Sequence, residues 1–592
     1  MLEQKILWRQ KIADALLSML SDENIDAAIP IESIVAEVPP KPEMGDLGFP
    51  MFPFAKILKK APPVIASSLA AKMKSGDCGS AEVFTLGPYV NVRFDRGSFA
   101  KSILEGMFSA AEPAKKTLNG KRIMIEFSSP NTNKPLHLGH LRNDVLGESI
   151  SRILAACGAD VRKVCIINDR GIHICKSMLA YMEHFNGKTP LSENKKSDRF
   201  VGDCYVEFDK MLKREDASGI ERDEGANFRA QELLRKWEEG DKSVSELWKT
   251  MNDWTVSGIK ETYKRTDVSF DQFYFESKTY LRGKEEVQKG LAKNIFYKEE
   301  DGSVWADLTN DNLDKKALLR KDGTSLYITQ DFGTAILRHE DWQFDRLIYV
   351  VGNEQRYHFA VLFKLLERLD FEWAKNLYHL SYGMVNLPHG RMKSREGTVV
   401  DADDLLDELH NMALAEIKEK DREAAVGDAG ATAEKIALGA LHYYLLQVSP
   451  DKDMMFNPEE SISFNGNTGP YLQYMGARIS SLLKRSGNES EQQSSGCQFF
   501  ELLTSDAEWE LLKTISTFNE VLNDAADKMN PSLLTTWAFD LSKKFSTFYH
   551  DCPILNADDP KLAAARLSLC RAVLLVLQST LKLVCIPFLE AM

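Results

Sequence analysis

The chain has 592 residues, a formal net charge of −13, 44% hydrophobic and 27% charged residues, with 35 Gly and 21 Pro. At roughly 150 residues per domain, that length implies about three to five domains, and the ordinary globular composition excludes a disordered, collagen-like or coiled-coil chain. The acidic balance argues against a generally basic nucleic-acid binder and leaves room for a local basic groove.

Residues 1–118 read as a small α/β module. Its opening, MLEQKILWRQKIADALLSML, is amphipathic and lacks a small-residue cleavage site, so a helix and no signal peptide are expected. The turn-rich PPKPEMGDLGFP follows, then the helical VIASSLAAKM. In VFTLGPYVNVRF, Val90, Val92 and Phe94 alternate as in a half-buried strand. Asn119-Gly120 is a turn and marks a boundary.

From there to residue 400 the pattern is that of an α/β domain. IMIEF is a short strand, SSPNTNKP a loop, and a helix starts near Leu136 and runs through RILAACGA to a second strand, VRKVCIIN. Strand, crossover helix, strand predicts a doubly wound parallel sheet, to which DRLIYVVG and YHLSYGMV add strands. The polar stretch at about 185–310 reads as inserted helices plus a hairpin, NIFYKEEDGSVWADL, turning at Asp301-Gly302.

A connecting segment, 401–434, contains the loop or helix break DREAAVGDAGATAE and leads into an almost wholly helical 435–592. Residues 431–592 carry 13 Lys/Arg against 19 Asp/Glu, so any RNA contact there must come from one face. SGNESEQQSSG is a solvated loop. The apolar run Ala572 to Leu589 is broken by Gln578, Ser579, Thr580 and Lys582 and reads as a buried helix rather than a bilayer span. Nine cysteines with no C-x-x-C pair fit free thiols in a reducing cytoplasm.

The strongest chemical signal is EFSSPNTNKPLHLGHLRNDV, residues 126–145. His137 and His140 are three apart at a helix start and share a face. Gly139 between them lets a base or ribose approach the backbone, and Pro135 sits where helix starts favour proline. The helix N-terminus offers free N–H groups to phosphate. Placed just after the first strand of a doubly wound sheet, this is a nucleoside triphosphate site.

HLGH resembles the HIGH signature of class I aminoacyl-tRNA synthetases, and the flanking SSPNTNKPLHLGHLR resembles its arginyl-tRNA synthetase form. GRMKSREGTVV, residues 390–400, resembles the second class I signature, the K-M-S-K-S loop. Physically, a mobile basic loop clamps the pyrophosphate of ATP as charge develops on it. Aligned on Met392, the first lysine of that signature is Arg391 and the second is Ser394. The family places a compensating lysine just upstream of HIGH, here Lys134. The resemblance thus implies a catalytic set of His137, His140, Lys134, Lys393, Ser394 and Arg395, with ATP also touching Pro135, Leu138, Gly139 and Met392.

For the amino acid, the resemblance implies a pocket of Glu126, Asn131, Tyr327, Asp331 and Gln355. Tyr327 and Asp331 lie at i and i+4, and Gln355 follows Asp331 by the 24 residues the family shows. Asp331 and Glu126 are expected to make an anionic pocket that favours a forked guanidinium, so that no separate editing domain is needed. Asn168, Asp169, Gly171 and His173, in INDRGIHICKSMLAY, match the family's segment after the second strand. His173 near Cys165 and Cys175 fits no zinc spacing, and no dedicated metal site is expected.

FNGNTGPYLQYMGARISSLLKR resembles the start of the family's helical anticodon-binding domain, with Tyr471, Tyr474 and Arg478 on one face for single-stranded RNA. EMGDLGFPMFPFAKILKK and LGPYVNV resemble the arginyl-specific N-terminal module, which meets the tRNA elbow. The resemblance implies a small N-terminal α/β module, a Rossmann-type catalytic domain over 119–400 and a C-terminal helical bundle. It implies a ligase that joins L-arginine to the 3′ end of tRNA(Arg), with ATP and Mg²⁺ as substrate complex. A cytoplasmic monomer with no membrane contact is expected. The alternatives are a nucleotidylyltransferase carrying H-x-G-H, a non-catalytic RNA-binding paralogue, and a synthetase for another amino acid.

Overall fold

The computed structural model describes residues 1–74, 79–109, 114, 116–218, 224–386, 400–420, 422–487 and 499–592. At the N-terminus, α1 (Leu2–Asp22) buries Trp8, Ile12, Leu16 and Met19, a three-to-four spacing that puts one apolar stripe inward. Strands β1 (Leu47–Pro50), β2 (Glu82–Leu86) and β3 (Tyr89–Arg93) form an antiparallel sheet in the order β1-β3-β2, with α2 (Pro62–Lys74) packed on it, while α3 (Arg96–Ser109) packs against the C-terminal helices Asp506–Ser516 and Pro560–Leu583. Val90 and Val92 are buried.

The second sheet organises the chemistry. It comprises β4 (Arg122–Glu126), β5 (Asp160–Ile167), β6 (Gln272–Phe275) and, further along the chain, Arg346–Gly352 and Leu377–Tyr382. Helix α4 (Leu138–Ala156) crosses from β4 to β5. Four inserted helices follow: α5 (Ile172–Ala180), α6 (Ser197–Ser218), α7 (Ala226–Glu238) and α8 (Lys242–Arg265). After β6 come α9 (Glu276–Ala292), the small antiparallel sheet β7 (Tyr297–Lys298), β8 (Val304–Ala306) and β9 (Lys316–Leu319), and α10 (Tyr327–Asp341). Then β10 (Arg346–Gly352), α11 (Arg356–Arg368) and β11 (Leu377–Tyr382) complete the sheet. Its order is β11-β10-β4-β5-β6, every pair parallel. Chain order reverses between β4 and β10, which opens the crevice where such sheets hold ligands.

Apart from a short strand, Met454–Met455, that pairs parallel with Val385–Asn386, the remainder is mainly helical: α12 (Ala402–Glu419), α13 (Ala429–Leu446), α14 (Gly469–Arg485), α15 (Asp506–Ser516), α16 (Phe518–Asp527), α17 (Ser532–Asp551) and α18 (Pro560–Leu583). The expected break near 420–434 includes a one-turn helix, Glu423–Val426. By length and apolarity alone α18 could cross a membrane. Here Ala565, Leu569, Val573 and Leu577 lie in the largest core cluster, and Arg566 pairs with buried Glu508 at 2.7 Å.

Helices α9 and α10 meet backbone to backbone at Gly283 and Gly333. A Cβ on Gly283 would fall inside the Thr329 carbonyl, and one on Gly333 inside the Gly283 backbone. Gly283→Ala is therefore expected to push the helices apart and to lower the free energy of unfolding by about 1–3 kcal/mol or more, read as a lower urea midpoint at unchanged slope. An unchanged midpoint would show that the helix pair can separate freely.

Candidate active site

The loop leaving β4 is held in an unusual shape. Ser128 and Ser129 are consecutive left-handed residues, with φ of +71° and +50°. Such backbone costs on the order of 1–3 kcal/mol per residue and persists only where neighbours fix it. The Ser128 N–H donates to Asn143 Oδ1 at 2.5 Å, its Oγ bonds Tyr263 Oη of α8 at 2.6 Å, and Asn168 Nδ2 donates to the Ser129 carbonyl at 3.0 Å.

The chain then reaches His137, which caps α4, so the helix begins at Leu138 rather than near Leu136. Its Nδ1 accepts the Gly139 N–H at 3.1 Å, while His140 Nδ1 accepts the His137 N–H at 3.2 Å. The two rings stand 3.9 Å apart. A neutral imidazole whose Nδ1 accepts must carry its proton on Nε2. Both rings are neutral. Burial, then the Lys134 charge, pull His137 down to about 4, and burial, then the neighbouring His137 ring and Lys134, pull His140 well down. Burial also lowers the Lys134 ammonium. Gly139 is needed here, because a Cβ would sit 2.9 Å from the His137 ring.

His137, Gly139 and His140 line a cavity of about 510 Å³ with Ser128, Ser129, Asn143, Glu354 and Tyr382. The cavity lies at the reversal of strand order. Asn143 bridges its walls, donating to the Val350 carbonyl at 2.7 Å and to Tyr382 Oη at 3.0 Å.

Met392, Lys393, Ser394 and Arg395, with Arg391, lie outside the described residues. Their flanks do not. Buried Arg142 of α4 donates to the carbonyls of Gly383 (2.7 Å), Met384 (2.8 Å) and Lys452 (2.7 Å). On the far flank, Ala402 N–H donates to the Leu136 carbonyl at 3.0 Å and Leu138 N–H to that of Val400 at 3.3 Å. The described residues on either side are thus held against the stretch that carries HLGH.

The residues expected for the amino acid divide. Gln355 follows β10 in the turn Asn353–Gln355 and is exposed, as are Asn131 and Tyr327. Asp331 faces α11, where His358 Nε2 lies 2.5 Å from its Oδ2. Glu126 departs from expectation. Its carboxylate is buried against Arg338 of α10 and accepts Ser129 Oγ at 3.1 Å, so its charge is matched inside the protein rather than standing as an open anion. The rings of Tyr274 and Tyr349 lie 5.0 and 6.0 Å from the Arg338 guanidinium. Burial opposes that charge most, and Glu126 together with Tyr349 and Tyr274 leaves the Arg338 pKa above its usual value.

Sequence reasoning missed a second carboxylate beside Asp331. Glu276, first residue of α9, is buried. Burial, then the Asp331 charge, push its carboxyl up to about 7 against the pull of Arg170. Gln330, with its amide turned to satisfy both neighbours, donates to Glu276 Oε1 and accepts Arg170 Nη1 at 3.0 Å. Asp169 serves the frame: its Oδ2 accepts Ser277 Oγ at 2.6 Å and its Oδ1 the Ser277 N–H at 2.9 Å. His173 Nδ1 lies 3.0 Å from Tyr205 Oη. On α14, Tyr471 packs on Phe539 and Arg478 stacks on Tyr549 at 4.0 Å. Tyr474 is 40% exposed, in a cavity with Lys420 and Phe464.

A parallel sheet with a neutral histidine pair at its switch point, joined to a helical bundle, is the arrangement of the class I aminoacyl-tRNA synthetases. Residues 104–457 match the family model of the class I (R) tRNA synthetase catalytic domain, 7–94 that of the arginyl-tRNA synthetase N-terminal domain, and 472–592 that of the DALR anticodon-binding domain. The chain is 57% identical to an arginine–tRNA ligase of Treponema denticola and 54% identical to one of Treponema pallidum, each covering 99% of both chains. Its fold matches the Thermus thermophilus arginyl-tRNA synthetase with a TM-score of 0.79 at 24% identity, over 99% of both chains. The chain belongs to the arginyl-tRNA synthetase family.

Proposed function

We propose that this enzyme activates L-arginine with ATP, forming arginyl-adenylate and pyrophosphate, and passes the arginyl group to the 3′ end of tRNA(Arg). The arginine carboxylate attacks the α-phosphorus in line, so the protein's part is positioning and charge stabilisation. The observation that carries this reading is the His137–His140 pair, whose Nδ1 atoms are engaged with backbone and whose Nε2–H groups remain as neutral donors beside the cavity. They donate to phosphate oxygens, where charge builds up in the transition state. Pro135, Leu138 and Gly139 shape the approach of ATP, and Met392 joins them from the basic segment.

Lys134, Lys393, Ser394 and Arg395 hold the leaving pyrophosphate, and Mg²⁺ accompanies the ATP. For arginine, Asp331 and Glu276 meet the guanidinium, while Asn131, Tyr327 and Gln355 contact the rest of the substrate. Glu126 shapes the pocket through Arg338 and Ser129. A neutral citrulline would leave the carboxylates unpaired. Residues 1–118 meet the tRNA elbow, 119–400 perform the chemistry with inserted helices at about 185–310, 401–434 connect, and 435–592 read the anticodon through Tyr471, Tyr474 and Arg478. The enzyme acts as a cytoplasmic monomer.

AMP release from ATP, measured with each of the twenty amino acids with and without total tRNA, tests the assignment. Release with arginine alone is the expected result. Release with a different amino acid would keep the class I reaction and discard the pocket.

A further inference from the structure

Two side-chain donors divide the acceptor atoms of the two carboxylates. Gln330 takes Oε1 of Glu276, and His358 Nε2 stands 2.5 Å from Oδ2 of Asp331. That bond needs the proton on Nε2. Each carboxylate thereby keeps one oxygen uncommitted to these donors. A guanidinium offers two parallel N–H edges that can span two acceptors on different residues, which a single ammonium matches poorly. His358 is well placed to enforce this. It sits on the first turn of α11, three residues after Gln355, with its ring set edge-on to Phe359 at 5.7 Å and an interplanar angle of 88°. Its side chain is 22% exposed, against 40% for Asp331. The exposed carboxylate would otherwise rotate freely.

We propose that His358 is a positioning residue of the amino-acid pocket, fixing the Asp331 carboxylate so that its remaining oxygen receives a guanidinium. The proposal rests on the reading of Asp331 as an arginine contact. It explains why the acid is tied to a side chain from the next helix while its partner acid is tied to Gln330.

ATP–pyrophosphate exchange by the full-length enzyme, with tRNA present, tests it. His358→Ala should raise the KM for arginine by on the order of tenfold or more, the loss expected for a hydrogen bond to a charged group, with KM for ATP and kcat within about twofold. His358→Gln, which restores an N–H donor, should recover most of that loss. In an Asp331→Asn background, His358→Ala should add less than about twofold, since the two act as one unit. An equal rise in both KM values would mean general damage and overturn the proposal. A fall in the arginine KM would make His358 a competitor of the substrate and overturn it too. If Asp331→Asn raises the arginine KM and His358→Ala does not, this inference fails and the pocket stands. If neither variant moves it, the pocket assignment itself fails.

Discussion

An Arg338→Met variant is expected to lose about 3–5 kcal/mol of unfolding free energy, the cost of leaving a buried charge without its partner. Arg338 is 1% exposed and the Glu126 side chain 8%. Methionine fills much of the same volume but leaves the Glu126 carboxylate with Ser129 Oγ as its remaining hydrogen-bond donor among the described contacts. Glu126 would then take up a proton or draw in water. The double variant Glu126→Gln/Arg338→Met should recover most of the loss, because both charges are removed together. Urea denaturation at pH 7.5 reads both changes. A loss under about 1 kcal/mol for the single variant would show that the pair is solvated, and that the position of Glu126 at the end of β4 does not depend on α10.

Most helices and strands around the site were legible because their period is written in the residues; β6, inside the polar stretch read as helices and a hairpin, was not. His137 and His140 at a helix start, and Tyr327 and Asp331 one turn apart, needed only local spacing. What the sequence did not reveal were partners across the fold. Glu126 and Arg338 are 212 positions apart, Asp331 and His358 are 27 apart, and nothing in either segment marks the other as its neighbour. Glu276 is an ordinary glutamate opening a polar helix until α9 packs on α10 through Gly283 and Gly333 and brings it beside Asp331. Periodicity gives the face of an element, and only the tertiary fold says which face it meets. The same limit explains Glu126. Its place at the end of the first catalytic strand suggested a substrate contact, and the buried arginine that matches its charge lies on a helix formed much later in the chain.

Glu276 carries the second large prediction, a pH dependence in arginine use. Its carboxyl is raised from the ordinary 4.5 to about 7, first by burial and then by the Asp331 charge. Protonated Glu276 therefore stabilises the arginine-free fold. That contribution is complete below pH 4.5 and is lost as pH rises through 7. A guanidinium, charged at every pH in question, prefers the ionised acid. Arginine binding should accordingly strengthen over the window in which the empty pocket weakens. We expect kcat/KM for arginine to rise through a single step near pH 7 and level off near pH 8.5. At pH 5.5 it should lie about thirtyfold below the plateau, a tenfold change for each unit below the step. Glu276→Gln should give a flat profile over the same range at a lower plateau, because the amide neither titrates nor pairs with the cation. Parallel profiles for the two enzymes would place the titrating group elsewhere and remove Glu276 from the pocket.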